Sequence, residues 1–249
     1  MGRRIVFGDV HGHYRAVCAL LDKISPSHSD TLYFLGDLID RGPEVARVVE
    51  FVKENNHYCI LGNHEIMLLD SLGGKTINPI AFQTWLRNGG NATVASYGQK
   101  VPPPEHIEWF KTLPLYIDLG DFWLVHAGVH PNLPISKQSQ AQFCWIRQEF
   151  HCIEKPYFPD KTIIVGHTIT FTFNGLKPGD IAQGEGWLGI DTGVYHVPLG
   201  RLTALDLDNS LVYQVDGNGH NFRCLPLSEV THKINRRHLF SRSLNKLLL

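Results

Sequence analysis

Five short apolar runs each end in a glycine-bearing polar cluster, and this repetition limits the fold more than any other feature of the chain. Arg4–Phe7 runs into Gly8-Asp9-Val10-His11-Gly12, and Thr31–Leu35 into Gly36-Asp37-Leu38-Ile39-Asp40-Arg41-Gly42. His57–Leu61 runs into Gly62-Asn63-His64-Glu65, Phe122–Val125 into His126-Ala127-Gly128, and Thr162–Val165 into Gly166-His167-Thr168. Runs of this length, rich in Ile, Val, Leu and Tyr, read as buried strands. Helical patterns separate the first three. Tyr14–Ile24 puts Val17, Leu20, Leu21 and Ile24 on one face, and Glu44–Lys53 does the same with Val45, Val48, Val49 and Val52. Strands alternating with helices predict βαβ units and a largely parallel sheet. Loops leaving the carboxyl ends of such strands lie along one edge, where ligands bind, so the five clusters are expected to meet there.

The stretch from about 71 to 121 reads as a mostly helical insertion, with Pro102-Pro103-Pro104 ahead of a short helix at Glu105–Thr112. Strand patterns return at Trp187–Ile190, Leu202–Leu207 and Leu211–Val215, the last two joined by a hairpin at Asp208-Asn209-Ser210. The expected organisation is one catalytic domain over 1–228 and a basic tail over 229–249. A chain of 249 residues, 43% of them apolar, suits one large domain. The net charge of -1 gives no basis for nucleic acid as a partner. The five cysteines form no C-x-x-C pair, which fits thiols in a reducing compartment. Arg3-Arg4-Ile5-Val6-Phe7 is too short for a signal-peptide core, and no apolar run approaches the roughly 20 residues of a membrane span. A soluble, cytoplasmic protein is expected.

Chemistry enters with the strand-end residues. A lone Asp there is usually a turn residue and a lone His a satisfied polar group. Asp9, His11, Asp37, Asn63, His126 and His167 together are a different matter. Two aspartates, one asparagine and three histidines suit borderline divalent metals such as Mn, Fe and Zn. Six protein ligands are too many for one metal with an open position, but right for two metals sharing a carboxylate.

These motifs resemble the signatures of the phosphoprotein phosphatases, within the calcineurin-like metallophosphoesterases. The first three clusters match the family's three signature motifs. Val125-His126-Ala127-Gly128 and Gly166-His167-Thr168 resemble its later histidine motifs. Trp145-Ile146-Arg147-Gln148-Glu149-Phe150 resembles the segment bearing its second phosphate-binding arginine. Matches run from about residue 3 to 206 and point to the bacterial-type serine/threonine enzymes, the lambda-phage protein phosphatase among them. The resemblance implies an α/β fold, a β-sandwich of mixed sheets flanked by helices, with the active site at the carboxyl ends of the strands. It implies two divalent ions, Mn first and Fe or Zn next. Asp9, His11 and Asp37 would hold one ion, Asn63, His126 and His167 the other, with Asp37 bridging. Arg41 and Arg147 would grip the phosphate, together with Asn63 and His64. His64 would protonate the leaving alkoxide, and Asp40 would orient His64 and keep it protonated. Attack by a metal-bridging hydroxide on a phosphoserine or phosphothreonine would follow, with a phosphoprotein as partner and substrate.

Three departures stand out. Leu61 replaces the arginine that precedes the third motif in the eukaryotic enzymes, their C-terminal tyrosine loop finds no match, and Ile169 stands where the wider superfamily often has a second histidine. His13 reads equally as a support for the first motif's ligands or as a plain helix-start residue, His130 and His196 read as structural, and Asp191 with Thr192 as turn residues near the site. Two rival functions remain. Symmetrical diadenosine tetraphosphate hydrolases resemble the chain closely but typically carry alanine at the position of Asp40 and aspartate at that of Glu65. A catalytically inactive phosphate-binding module would require a lost ligand, and none is missing.

Overall fold

The computed structural model describes residues 2–236 and Leu239. Strands β1 (Arg4–Phe7), β2 (Thr31–Phe34) and β3 (Tyr58–Cys59) run parallel, linked by helices α1 (Tyr14–Ile24) and α2 (Val45–Glu54). The chain then crosses to a second sheet with β4 (Tyr116–Asp118), β5 (Phe122–Val125), β6 (Thr162–Val165), β7 (Ile181–Gly184) and β8 (Trp187–Gly189). It returns with β9 (Leu202–Asp206), β10 (Leu211–Val215) and β11 (Arg223–Pro226), and ends with β12 (Thr231–Lys233) in the second sheet. The two six-stranded sheets have the orders β11-β10-β9-β1-β2-β3 and β12-β7-β8-β6-β5-β4. Parallel pairing is confined to part of each sheet, because β9 and β10 form the expected hairpin and pair antiparallel beside β1.

Alternation along single strands shows the layering. In β1, Ile5 and Phe7 face a core shared with Val17 and Leu20 of α1 and Val48 and Val49 of α2. Val6 points the other way, into a core between the sheets with Leu35, Ile164 and Leu205. In β6, Ile164 faces that inner core, while Ile163 and Val165 join Phe143, Phe150 and Trp187 on the outer face. A period of two with both faces apolar is what a sandwich with helices outside requires. Val17 and Leu20 are fully buried, each contributing about 1.5–3 kcal/mol at most. Helix α1 ends where Ser25 turns left-handed at φ 46° and its N–H bonds to Leu21.

Helix α3 (Asn63–Leu72), absent from the sequence reading, starts directly at the third cluster. The insertion follows as α4 (Pro79–Trp85), a wider turn at Leu86–Gly90, α5 (Asn91–Ser96) and α6 (Pro104–Thr112). Its last residues are strand rather than helix, since β4 pairs with β5. The basic stretch does not begin as a free tail. After α9 (Leu227–Val230), β12 pairs with β7, Ile234 is buried, and Arg236 donates to the Ile153 carbonyl at 3.0 Å. The rest of the expected tail, apart from Leu239, lies outside the described residues.

Candidate active site

The strand-end clusters do converge. Asp9 and His11 follow β1, Asp37 follows β2, Asn63 opens α3 after β3, and His126 and His167 follow β5 and β6. Their loops are unusually contorted. His11, Asp37, Asp40, Arg41 and His167 have φ between 43° and 71°, a region that non-glycine residues avoid. Neighbouring groups hold them there. Asp37 O accepts from the backbone N–H of Val10 at 3.2 Å and of His11 at 2.9 Å, locking the first loop to the second. The buried Glu65 carboxylate accepts from the N–H groups of Asp37, Leu38, Ile39 and Gly62 at 2.8–3.3 Å. Burial, then the nearby Asp37 charge, pushes Glu65 up to about 8, against four N–H groups that favour its ionised form.

Histidine tautomers follow from their partners. His126 Nδ1 donates to Leu35 O at 2.7 Å, and His11 Nδ1 to Ile39 O at 2.8 Å. Both leave an Nε2 lone pair facing Asp37: His126 lies 3.5 Å from Oδ1 and His11 3.7 Å from Oδ2. Asn63 Oδ1 sits 2.9 Å from His126 Nε2 and 2.8 Å from His167 Nδ1. Burial pushes the His126 pKa down, so its ring is neutral and its Nε2 meets the amide oxygen acceptor to acceptor. That contact is repulsive without a shared cation. Asp9 tells the same story: burial, Asp191 and Asp37 raise its pKa well above the ordinary range. Donor atoms of Asp9, Asp37 and His126 lie within 4.8 Å of one another, as do those of His11, Asp37 and His64. Asp37 is common to both sets. The donor chemistry fits divalent metal, with His126 close to Asp9 and Asp37, and His64 close to His11 and Asp37.

His64 has another partner. Its Nδ1 donates to Asp40 Oδ2 at 2.6 Å. Asp40 also accepts from Thr93 Oγ1 at 2.6 Å and from Trp85 Nε1 at 2.9 and 3.1 Å. Trp85 ends α4 and Thr93 lies in α5, so the insertion holds the His64–Asp40 pair. Arg41 donates to His11 Nε2 at 2.9 Å, and its guanidinium lies 4.2 Å from the Tyr195 ring centre. Arg147, which caps α8 (Gln148–His151), donates to Thr168 Oγ1 at 2.8 Å on the His167 side. Arg41 thus borders the donor cluster at His11, and Arg147 borders it near His167. Between them, burial raises Asp191 to about 6 while both guanidiniums pull it down.

Every expected site residue comes into this cluster. His13, His130 and His196 do not: His13 binds Val10 O, His130 binds its own loop, and His196 lies tilted against Tyr195 at 4.3 Å. The sequence reading missed Trp85, Thr93 and Tyr195. Tyr195 stands two residues past Gly193, edge-on to His11 at 5.0 Å, so a tyrosine does reach the site from the C-terminal half. Its place close behind Asp191-Thr192-Gly193 was the available signal.

The calcineurin-like phosphoesterase family model matches residues 2–194. The chain belongs to the calcineurin-like phosphoesterases. Among curated proteins, it is 33% identical over 140 residues to a Neisseria meningitidis protein named symmetrical bis(5'-nucleosyl)-tetraphosphatase, over 52% of this chain and 45% of that protein. The match thus spans about half the length of such symmetrical relatives. It is 32% identical over 238 residues to the asymmetrical bis(5'-nucleosyl)-tetraphosphatase PrpE of Geobacillus thermodenitrificans, over 80% of this chain and 88% of that one. Among solved structures, one described provisionally as a diadenosine tetraphosphatase superposes with a TM-score of 0.63 at 23% identity, over 86% of this chain and 93% of its own. A cold-active protein-tyrosine phosphatase of a Shewanella species gives 0.56 at 17%, over 90% and 80%. At these identities the two structures establish the fold alone. No described helix is long and apolar enough to cross a membrane.

Proposed function

We propose that this phosphoesterase hydrolyses dinucleoside polyphosphates at a centre built for two divalent ions. The observation that carries the reading is Asp37, shared by two donor sets and flanked by Arg41 and Arg147. Asp9, His11, Asp37, Asn63, His126 and His167 would hold the ions, Mn being the first to try. When bound, such a pair supplies an activated water and neutralises charge on the phosphate. Arg41 and Arg147 grip the non-bridging oxygens of the attacked phosphate. His64 delivers a proton to the departing oxygen, with Asp40 fixing its ring. The choice of substrate class rests on the curated relatives, whose names reverse the order of the sequence reading, in which phosphoproteins came first.

A second reading keeps one specific observation in its favour. A nucleotide phosphate leaves readily without a proton, whereas a serine alkoxide needs one. The 2.6 Å His64–Asp40 contact is therefore worth most to a phosphoserine or phosphothreonine phosphatase. Turnover of diadenosine tetraphosphate and of a phosphoserine peptide, by chelator-stripped protein reloaded with Mn, separates the two. The proposal expects the higher kcat/KM on the tetraphosphate, with ADP alone or ATP plus AMP as products. A clear preference for the peptide would replace it with the phosphatase.

A further inference from the structure

Trp145 ends helix α7 (Gln140–Trp145) with 42% of its surface exposed, while Trp85, Trp123 and Trp187 are buried. The chain leaves the helix at Ile146 and turns at Arg147, so both residues line a cavity of about 420 Å³ with His130, Gln142 and Glu149. The indole centre lies 6.4 Å from the His167 ring, nearly perpendicular to it. Other exposed aromatic rings have a covered face. Tyr58 stacks on Tyr33 at 5.2 Å, Tyr116 on Trp123 at 4.8 Å, and Phe222 lies parallel to Tyr213 at 6.5 Å. At the site itself, the Arg41 guanidinium already covers Tyr195. Among the described residues, Trp145 is the exposed aromatic beside the donor cluster on which no other ring or guanidinium is stacked.

A half-wet indole next to a phosphate-binding arginine has an evident complement. A 5'-nucleotide carries a flat aromatic base one ribose away from its phosphate, and base–indole stacking is tolerant of base identity. The side chains of Gln142, Glu149 and His130 offer donors and acceptors for the polar rim of a base. We propose that Trp145 is the platform on which a nucleobase of the substrate stacks while Arg147 holds the adjoining phosphate. This rests on the dinucleoside polyphosphate reading and extends it to where one nucleoside lies.

Binding, measured by calorimetry on Mn-loaded protein, tests the platform independently of turnover. AMP should bind roughly tenfold more tightly than ribose 5-phosphate, a ratio within the usual worth of one stacked base. Trp145→Ala should bring that ratio close to one, and Trp145→Phe should keep most of it. Metal content and melting temperature of both variants guard against misfolding. Equal affinity for AMP and ribose 5-phosphate in the wild type, or a ratio that survives Trp145→Ala, overturns the platform even if diadenosine tetraphosphate is a good substrate. A ratio that depends on Trp145 supports the platform even if the tetraphosphate is not hydrolysed, in which case only the substrate reading fails. Loss of phosphoserine-peptide affinity in Trp145→Ala, with the AMP ratio intact, would assign the indole to a peptide instead and also overturn it.

Discussion

Replacing Asp40 by asparagine takes one charge from a pocket with three hydrogen-bond donors. His64 Nδ1, Thr93 Oγ1 and Trp85 Nε1 all point at a carboxylate with no exposure to solvent. An amide offers one acceptor oxygen and one NH₂ group, and the indole N–H can only donate. The amide oxygen therefore turns toward Trp85 and Thr93, and the NH₂ faces His64 Nδ1. That nitrogen must then accept, so the ring gives up its Nδ1 proton and with it the charge-assisted contact to residue 40. The lost charge-assisted hydrogen bond is worth about 1.5–3 kcal/mol. Expressed fully in the transition state, that is roughly 10- to 150-fold in rate. The penalty should fall on leaving groups that need a proton. The assay is kcat/KM on a phosphoserine peptide and on nitrophenyl phosphate, with metal content measured on the same preparations. We expect a loss of about 10²-fold on the peptide and less than about tenfold on the aryl ester, whose phenolate leaves unprotonated. Equal losses at full metal content would refute the proton-donor role of the His64–Asp40 pair.

Other residues give equally specific outcomes. In Gly166→Ala the new Cβ would fall 2.1 Å from Asp9 Oδ1, so Asp9 must leave its bonds to the His167 N–H. Metal affinity should drop roughly 10–100-fold in a calorimetric titration, and an unchanged affinity would show that Asp9 is not a ligand. Arg147→Ala should weaken inhibition by inorganic phosphate about tenfold or more at normal metal content, and an unaltered inhibition constant would clear that arginine of phosphate binding. His151, fully buried behind Arg147, is pushed down from 6.5 to about 3 by burial and then by the Arg147 charge. The unfolded chain therefore takes the proton first as pH falls. The stability from keeping His151 neutral is complete above about pH 6.5 and is lost progressively down to about pH 3, with about 2 kcal/mol gone at about pH 5. His151→Leu should flatten the acid limb of a urea-unfolding series by that amount, and an identical pH slope in wild type and variant would exclude His151.

What could be read from the sequence was what local pattern encodes. The glycine-polar clusters at strand ends carried the donor set, because each ligand sits within a few residues of the strand that positions it. The sandwich was implied only through the resemblance, since apolar runs such as Thr162–Val165 give no sign of which face meets which sheet. Trp85 and Thr93 were invisible because they reach Asp40 across 45 and 53 residues of chain, from helices whose spacing speaks only of packing. Strand β12 was hidden in a basic stretch because its partner β7 lies about 50 residues earlier and sequence charge does not report pairing. Substrate class was read least well. Asp40 and Glu65 argued for a phosphoprotein, yet Glu65 serves as a backbone clamp, with its carboxylate turned to the N–H groups of Asp37, Leu38, Ile39 and Gly62.

The central claim is that one donor cluster holds two divalent ions shared by Asp37. Metal content per chain, after stripping with chelator and reloading with Mn, tests it directly in wild type and Asp37→Asn. Two ions per wild-type chain, and no more than one in the variant, is the expected result. A wild-type chain that takes up only one ion, or an Asp37→Asn chain that keeps two, would contradict the claim.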